Sequence, residues 1–234
     1  MSDALARAGA TWDADPAAGA WIRPLLGEFG PTVAATVPRG YAAHAVVAIE
    51  DDEPYDPSEA MTALDPLLDV LDGATGDQPV HCALWEGWGW LYDHGVDPRR
   101  APGMAAFVLS DERVAWWDVA GRLRARAARA SAQARAEDRL AAQRVERPAS
   151  RTLEHPHRSY HLWTGPLRAV TALRHWPDPP SLVWPDDRSW FLSIPEYSRE
   201  AVVAGTPELV DAVLRDPRLR ARPAAPETVL DIDD

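Results

Sequence analysis

Apolar and polar positions fall into short, well-punctuated patterns along most of this chain, and each pattern predicts an element. The Val- and Ala-rich run Tyr41–Glu50 lies between Pro38-Arg39-Gly40 and Asp51-Asp52-Glu53-Pro54 and reads as a buried strand. From Val80 to Trp90, Cys82, Leu84 and Glu86 alternate against His81, Ala83 and Trp85, which predicts a second strand running into a glycine-punctuated turn. Ala105–Ser110, Ser159–Thr164, Leu182–Trp184, Ser189–Ile194 and Ala201–Ala204 are further strands, and Pro185–Arg188 is a tight turn between two of them.

Helical spacing is equally readable. Trp21, Leu25 and Phe29 recur at three- and four-residue intervals and predict a helix over Pro16–Glu28, ended by Gly30-Pro31. Ser58 caps a helix through Leu71 that turns Leu64, Leu67, Leu68 and Leu71 inward and closes at Gly73. A short helix is expected over Leu167–Trp176. Thr206, with Pro207 and Glu208 after it, starts a helix whose inner face is Leu209, Val210, Val213 and Leu214 and which stops at Asp216-Pro217. The last three strands and this helix predict a β-β-β-α meander.

Asp111–Arg147 is different in kind. It is Ala- and Arg-rich and has high helix propensity, yet it carries few large apolar residues after Val119. A helical insertion projecting into solvent is expected there. Arginines outnumber Glu137, Asp138 and Glu146 in it, but no aromatic or glycine interleaves them, so a solvated helix fits better than a nucleic-acid arm. The whole chain then reads as one α+β domain over 1–234. Its sheet is mixed or largely antiparallel with helices on one face, and residues 1–15 and 223–234 are loose ends.

Composition narrows the partners. A net charge of -12 argues against nucleic acid, whose affinity comes from phosphate neutralisation, and points to a basic protein partner if any. No apolar run approaches the roughly 20 residues of a membrane span, so no membrane association is expected. The first residues lack a basic cluster followed by an apolar stretch, and Cys82 is the only cysteine; both fit the cytoplasm.

A set of short blocks, Val37-Pro38-Arg39-Gly40-Tyr41, Leu84-Trp85-Glu86-Gly87-Trp88-Gly89, Thr164-Gly165-Pro166-Leu167 and Leu182-Val183-Trp184-Pro185-Asp186-Asp187-Arg188-Ser189-Trp190-Phe191, resembles a family of uncharacterised proteins from GC-rich, actinobacterial-type genomes. Gly205 and the run from Leu209 to Leu219 extend it. Pro195-Glu196-Tyr197 departs from the family pattern. The resemblance implies one α+β unit with the Arg/Ala helix as a variable insertion, and it implies no activity.

Candidate chemistry centres on tryptophan, because an indole is large, apolar on its faces and a donor at one edge. Trp85, Glu86, Trp88, Trp163, Trp184, Asp187, Arg188 and Trp190 are the ligand-binding candidates. Glu86 among indoles suits a general acid, with Asp186 or Asp187 as the second carboxylate; the competing reading is a structural hydrogen-bond network. Arg188 suits stacking on an indole while its fork meets a carboxylate. His155, His157 and His161 are candidate metal ligands, since their even separations share one face of a strand, although Pro156 interrupts it. No cofactor is expected. Nucleophile-elbow and phosphate-loop patterns are absent. The leading functional expectation is a non-enzymatic binding or regulatory module of the toxin-neutralising type. The alternative is a hydrolase or small-molecule-binding enzyme with a Trp-lined pocket around Glu86.

Overall fold

The computed structural model describes residues 1–49, 57–88, 91, 126, 130–131, 135, 147–174, 178–196 and 198–231, with the backbone alone for 57–63. The chain divides into two compact units, 1–86 with 148–234, and 87–147. The first is α+β. Its strands are β1 (Thr11–Trp12), β2 (Ala43–Ala48), β3 (Val80–Trp85), β4 (Leu153–His155), β5 (Arg158–Gly165), β6 (Leu182–Pro185), β7 (Phe191–Ser193), β8 (Glu200–Gly205) and β9 (Ala221–Ala224). Its helices are α1 (Ser2–Arg7), α2 (Val33–Thr36), α3 (Pro57–Thr75) and α4 (Pro207–Arg215). The strands form one sheet in the order β1-β5-β3-β6-β7-β8-β2-β9, with β4 also on β5, and every described pairing is antiparallel.

Alternation sorts side chains between two layers, because successive residues of a strand point to opposite faces. On one face Ala83, Leu162, Leu182, Trp184, Phe191, Val46 and Val202 make a continuous core with Ile22, Val33, Val37 and Leu230 from the covering segments. The other face takes the longer helices: α4 lies on β2, β8 and β9 and packs against α3, which in turn meets the 3-10 turn Leu167–Thr171. Consecutive β6, β7, β8 and α4 form the meander expected from the pattern. Thr206 accepts from the Leu209 amide at the start of α4, as its cap spacing predicts.

Several boundaries differ from expectation. In place of a helix over Pro16–Glu28 there are two 3-10 turns, Pro16–Gly19 and Arg23–Leu25. Pro24 lacks the amide that an interior α-helical position needs, and its ring crowds the preceding turn. Ile22 is the buried anchor and Phe29 is 58% exposed. Helix α3 begins at Pro57, one residue before the expected cap Ser58, and runs through Gly73 to Thr75. Its stop is Gly76, which has φ +60° and donates its amide to Asp72 O at 3.0 Å.

Among the described residues, both terminal segments pack onto the sheet where loose ends were expected. Leu5 of α1 is fully buried, and β1 pairs with β5. Gly165 permits that docking, since a Cβ there would lie 2.5 Å from Ala10 Cβ. At the other end β9 extends the sheet beside β2, and Leu230 is buried in the core.

In the second unit Arg126, Ala130, Ser131 and Arg135 are helical and exposed, and Arg135 donates to Ser131 Oγ at 2.8 Å. Of the expected helix over 111–147, Arg147 is also described and is not helical; the remaining positions, the strand over 105–110, and Glu50, Trp90, His175 and Trp176 lie outside the described residues. No helix among the described residues is long and apolar enough to cross a membrane.

Candidate functional site

The tryptophans named from sequence are placed mainly as core. Trp163 is fully buried on the helix-bearing face and donates its indole N–H to Ala169 O at 3.2 Å. Trp190 is equally buried and donates to Thr75 Oγ1 on α3 at 3.1 Å. Trp184 points to the opposite face, stacked between His81 and Phe191 at centroid distances of 5.4 and 6.0 Å. The sheet thus separates Trp184 from Trp163.

Trp85 is half-buried at the edge of the Trp184 core. Glu86 sits just past the end of β3, where its amide donates to Ser159 O at 2.9 Å. Trp88 is half-buried in the second unit. Asp187 closes the β6–β7 turn by accepting from the Ser189 amide at 2.9 Å. Arg188 does stack on an indole, that of Trp21, with its guanidinium 4.8 Å from the ring centroid.

Around Trp184 the polar groups form a closed relay. The Thr164 hydroxyl donates to Asp13 Oδ2 at 2.8 Å, and the two His81 nitrogens lie 2.8 Å from Thr164 Oγ1 and from Asp186 Oδ1. Because the Thr164 proton is committed to Asp13, His81 Nδ1 is the donor in its own bond to Thr164, and the contact with the Asp186 carboxylate is a hydrogen bond when Nε2 carries a proton as well. Burial raises the Asp13 carboxyl above the usual range, while the Thr164 hydrogen bond and the nearby His81 pull it back. Each member of the relay has a partner.

A cleft partly open to solvent lies on the Trp184 face of the sheet, with no tryptophan in its lining. Its walls come from residues 26–36, the β4–β5 hairpin, the start of β6 and the chain after β7. The Gly27 amide donates to Ala34 O at 2.7 Å and the Ala34 amide to Pro226 O at 2.8 Å, which fixes the first wall. The hairpin turns at Pro156 and His157, and His157 has φ +66°, the pattern of a type II turn. Ser181 is held by its backbone between strands: its amide donates to Ala83 O and its carbonyl accepts from the Ile194 amide, both at 2.7 Å.

No family model, curated protein or solved structure matches this chain. The cleft's own chemistry therefore carries the functional argument.

Three polar atoms on its lining residues are buried without a hydrogen-bond partner among the described residues: His155 Nε2, Ser181 Oγ and Glu196 Oε1. They come from three separate elements. Leaving a buried polar atom unmet costs about 1–3 kcal/mol, so three around one cavity is a concentrated expense. The other Glu196 oxygen accepts from Arg158 Nε at 3.0 Å, with the Glu196 side chain only 4% exposed. The Arg158 guanidinium in turn lies 5.3 Å from the Phe29 ring centroid. Burial pushes the His155 imidazole down to about 4, and the Arg23 and Arg158 charges add to the effect, so the ring is neutral near pH 7.

The expected histidine cluster is divided by the hairpin. His155 lines the cleft, edge-on to Tyr160 at 5.2 Å, and His157 sits at the turn against Phe29. His161 points to the opposite face, where Ser150 Oγ is 3.1 Å from its Nδ1 and Trp12 packs edge-on. Even spacing would align the three only on an unbroken strand, and Pro156 reverses the chain between the first and the third. Of the three residues with unpartnered atoms, His155 alone was singled out by spacing. Ser181 and Glu196 carry no motif; the density of polar and ring side chains over 155–160 is the one local signal.

Proposed function

We propose that this chain is a small-molecule-binding protein whose site is the cleft bounded by residues 26–36, the β4–β5 hairpin, Ser181 and Glu196. The observation that carries the proposal is the set of unpartnered buried atoms on His155, Ser181 and Glu196, since a ligand that reaches them recovers hydrogen bonds that folding leaves unmade. A concave site with apolar walls and a few polar groups is the general form of such sites. The small-molecule alternative read from sequence is thus kept in kind and moved in place, from Glu86 to Glu196. Support for a protein-binding module is thinner: among the described residues only Phe29 and Val229 are large, apolar and exposed, well short of an aromatic docking patch.

The test is a thermal-unfolding screen of the full chain against a panel of small metabolites, repeated with Ala35→Leu, which fills the cleft from α2. Saturable stabilisation that Ala35→Leu removes is the expected result. Stabilisation that survives Ala35→Leu and disappears in Glu86→Gln would return the site to the Trp-rich segment.

A further inference from the structure

An arginine and a histidine lining one cavity ordinarily suggest an anion site, and here the arrangement argues the reverse. Arg158 has its Nε 3.0 Å from Glu196 Oε2 inside the same cavity, so its charge is already matched. Glu196 Oε1 offers lone pairs only. A phosphate or carboxylate oxygen brought to it would set acceptor against acceptor and negative charge against negative charge. A cation fares no better, because the carboxylate it would seek is held by the Arg158 guanidinium.

We propose, on the reading that the cleft is a ligand site, that its ligand is an uncharged molecule bearing several hydroxyl groups, and that anions are rejected. A hydroxyl both donates and accepts. The three atoms have almost no surface open to solvent in the free chain, so the ligand must draw their side chains toward the cavity; one hydroxyl can then donate to Glu196 Oε1, another can meet Ser181 Oγ in either sense, and a third can serve His155 Nε2 whichever tautomer the ring adopts. The apolar share of the lining, Leu26, Leu182, Pro195 and the Tyr160 ring, suits the C–H surface of such a molecule. His155 adds no positive charge near pH 7, which keeps the cavity close to neutral.

Calorimetric titration of the full chain with glucose, myo-inositol and glycerol, and with inorganic phosphate at matched ionic strength, tests this. The expected result is saturable heat from at least one polyol and none from phosphate. Ser181→Ala should weaken polyol binding about ten-fold, the size of one lost hydrogen bond. Glu196→Gln should weaken it as well, because the carboxylate that accepts from the polyol hydroxyl is lost. If phosphate binds the wild type and Arg158→Ala abolishes it, the ligand class is wrong while the cleft remains a site. If neither polyol nor phosphate binds, or if polyol heat survives Ala35→Leu, the cleft itself is not the site, and both proposals fall.

Discussion

The relay beside Trp184 and the cleft beside Tyr160 share the same face of one sheet and much the same inventory: a histidine, a carboxylate, a hydroxyl and aromatic rings. They differ in how that inventory is used. In the relay Asp13, Thr164, His81 and Asp186 hand hydrogen bonds from one to the next over distances of 2.8 Å. In the cleft His155, Ser181 and Glu196 each bury an atom that none of the described residues meets. A buried network in which every member is satisfied rigidifies a core, whereas a partly satisfied one is unfavourable unless something outside the chain completes it. Residue type alone therefore does not tell the two sites apart; whether their polar atoms find partners does.

Acid should act most strongly, and it should act through the cleft. The unfolded chain takes up a proton at His155 near the ordinary value of 6.5, whereas the folded ring resists until about 4. Between these values the unfolded state binds more protons, so stability falls as pH drops through that window and levels off below it. A shift of this size corresponds to at most about 3 kcal/mol. His44, lowered by burial, adds in the same direction, and Asp13, raised by burial, opposes it at the acid end. Urea unfolding of His155→Gln across pH 4 to 7 should show a clearly shallower dependence than the wild type. An unchanged dependence would mean that His155 is not held neutral in the fold, and the contrast between the two histidines would lose its electrostatic side.

Thr164→Val probes the relay. The substitution keeps the shape while removing the donor to Asp13 and the acceptor for His81 Nδ1. Two groups lose their partners at once, so a loss of about 1–3 kcal/mol in the urea-unfolding free energy is expected. Thr164→Ser, which keeps the hydroxyl, should recover most of it. A loss below about 0.5 kcal/mol would be that of an ordinary surface site, and the relay would then be no more than a polar fringe on the Trp184 core.

Much of the fold was legible because it rests on local rules. The alternation in Val80–Trp85 assigns His81 and Ala83 to one face and Cys82 and Leu84 to the other, and Thr206-Pro207-Glu208 starts α4 where such a triplet should. What escaped depends on partners distant in sequence. Thr11–Trp12 is a strand only because Thr164 and Trp163 lie beside it, and Ala221–Ala224 has no alternation of its own and is ordered by β2. The expected helix over Pro16–Glu28 followed apolar spacing past Pro24, and the missing amide outweighed the spacing. The candidate site was misplaced for a related reason. Tryptophan density is visible in composition, but Trp163, Trp184 and Trp190 express it as packing. An unmet hydrogen bond on Ser181 or Glu196 exists only once three distant segments converge.

Ser181→Ala gives the smallest effect and the sharpest contrast with Thr164→Val, because its sign should be opposite. Ser181 is 2% exposed and its Oγ has no partner among the described residues, while its backbone amide and carbonyl are held by Ala83 and Ile194. Truncation to alanine keeps both backbone bonds and removes a polar atom that folding strips of water without replacement. The free chain should therefore be unchanged or gain up to about 1 kcal/mol, even as polyol binding weakens. Stability and binding moving in opposite directions is the signature of a side chain retained for a ligand. A loss of more than about 1 kcal/mol in the free chain would show that the Ser181 hydroxyl has a partner within the fold, an ordered water included, and would place the cleft in the same class as the relay.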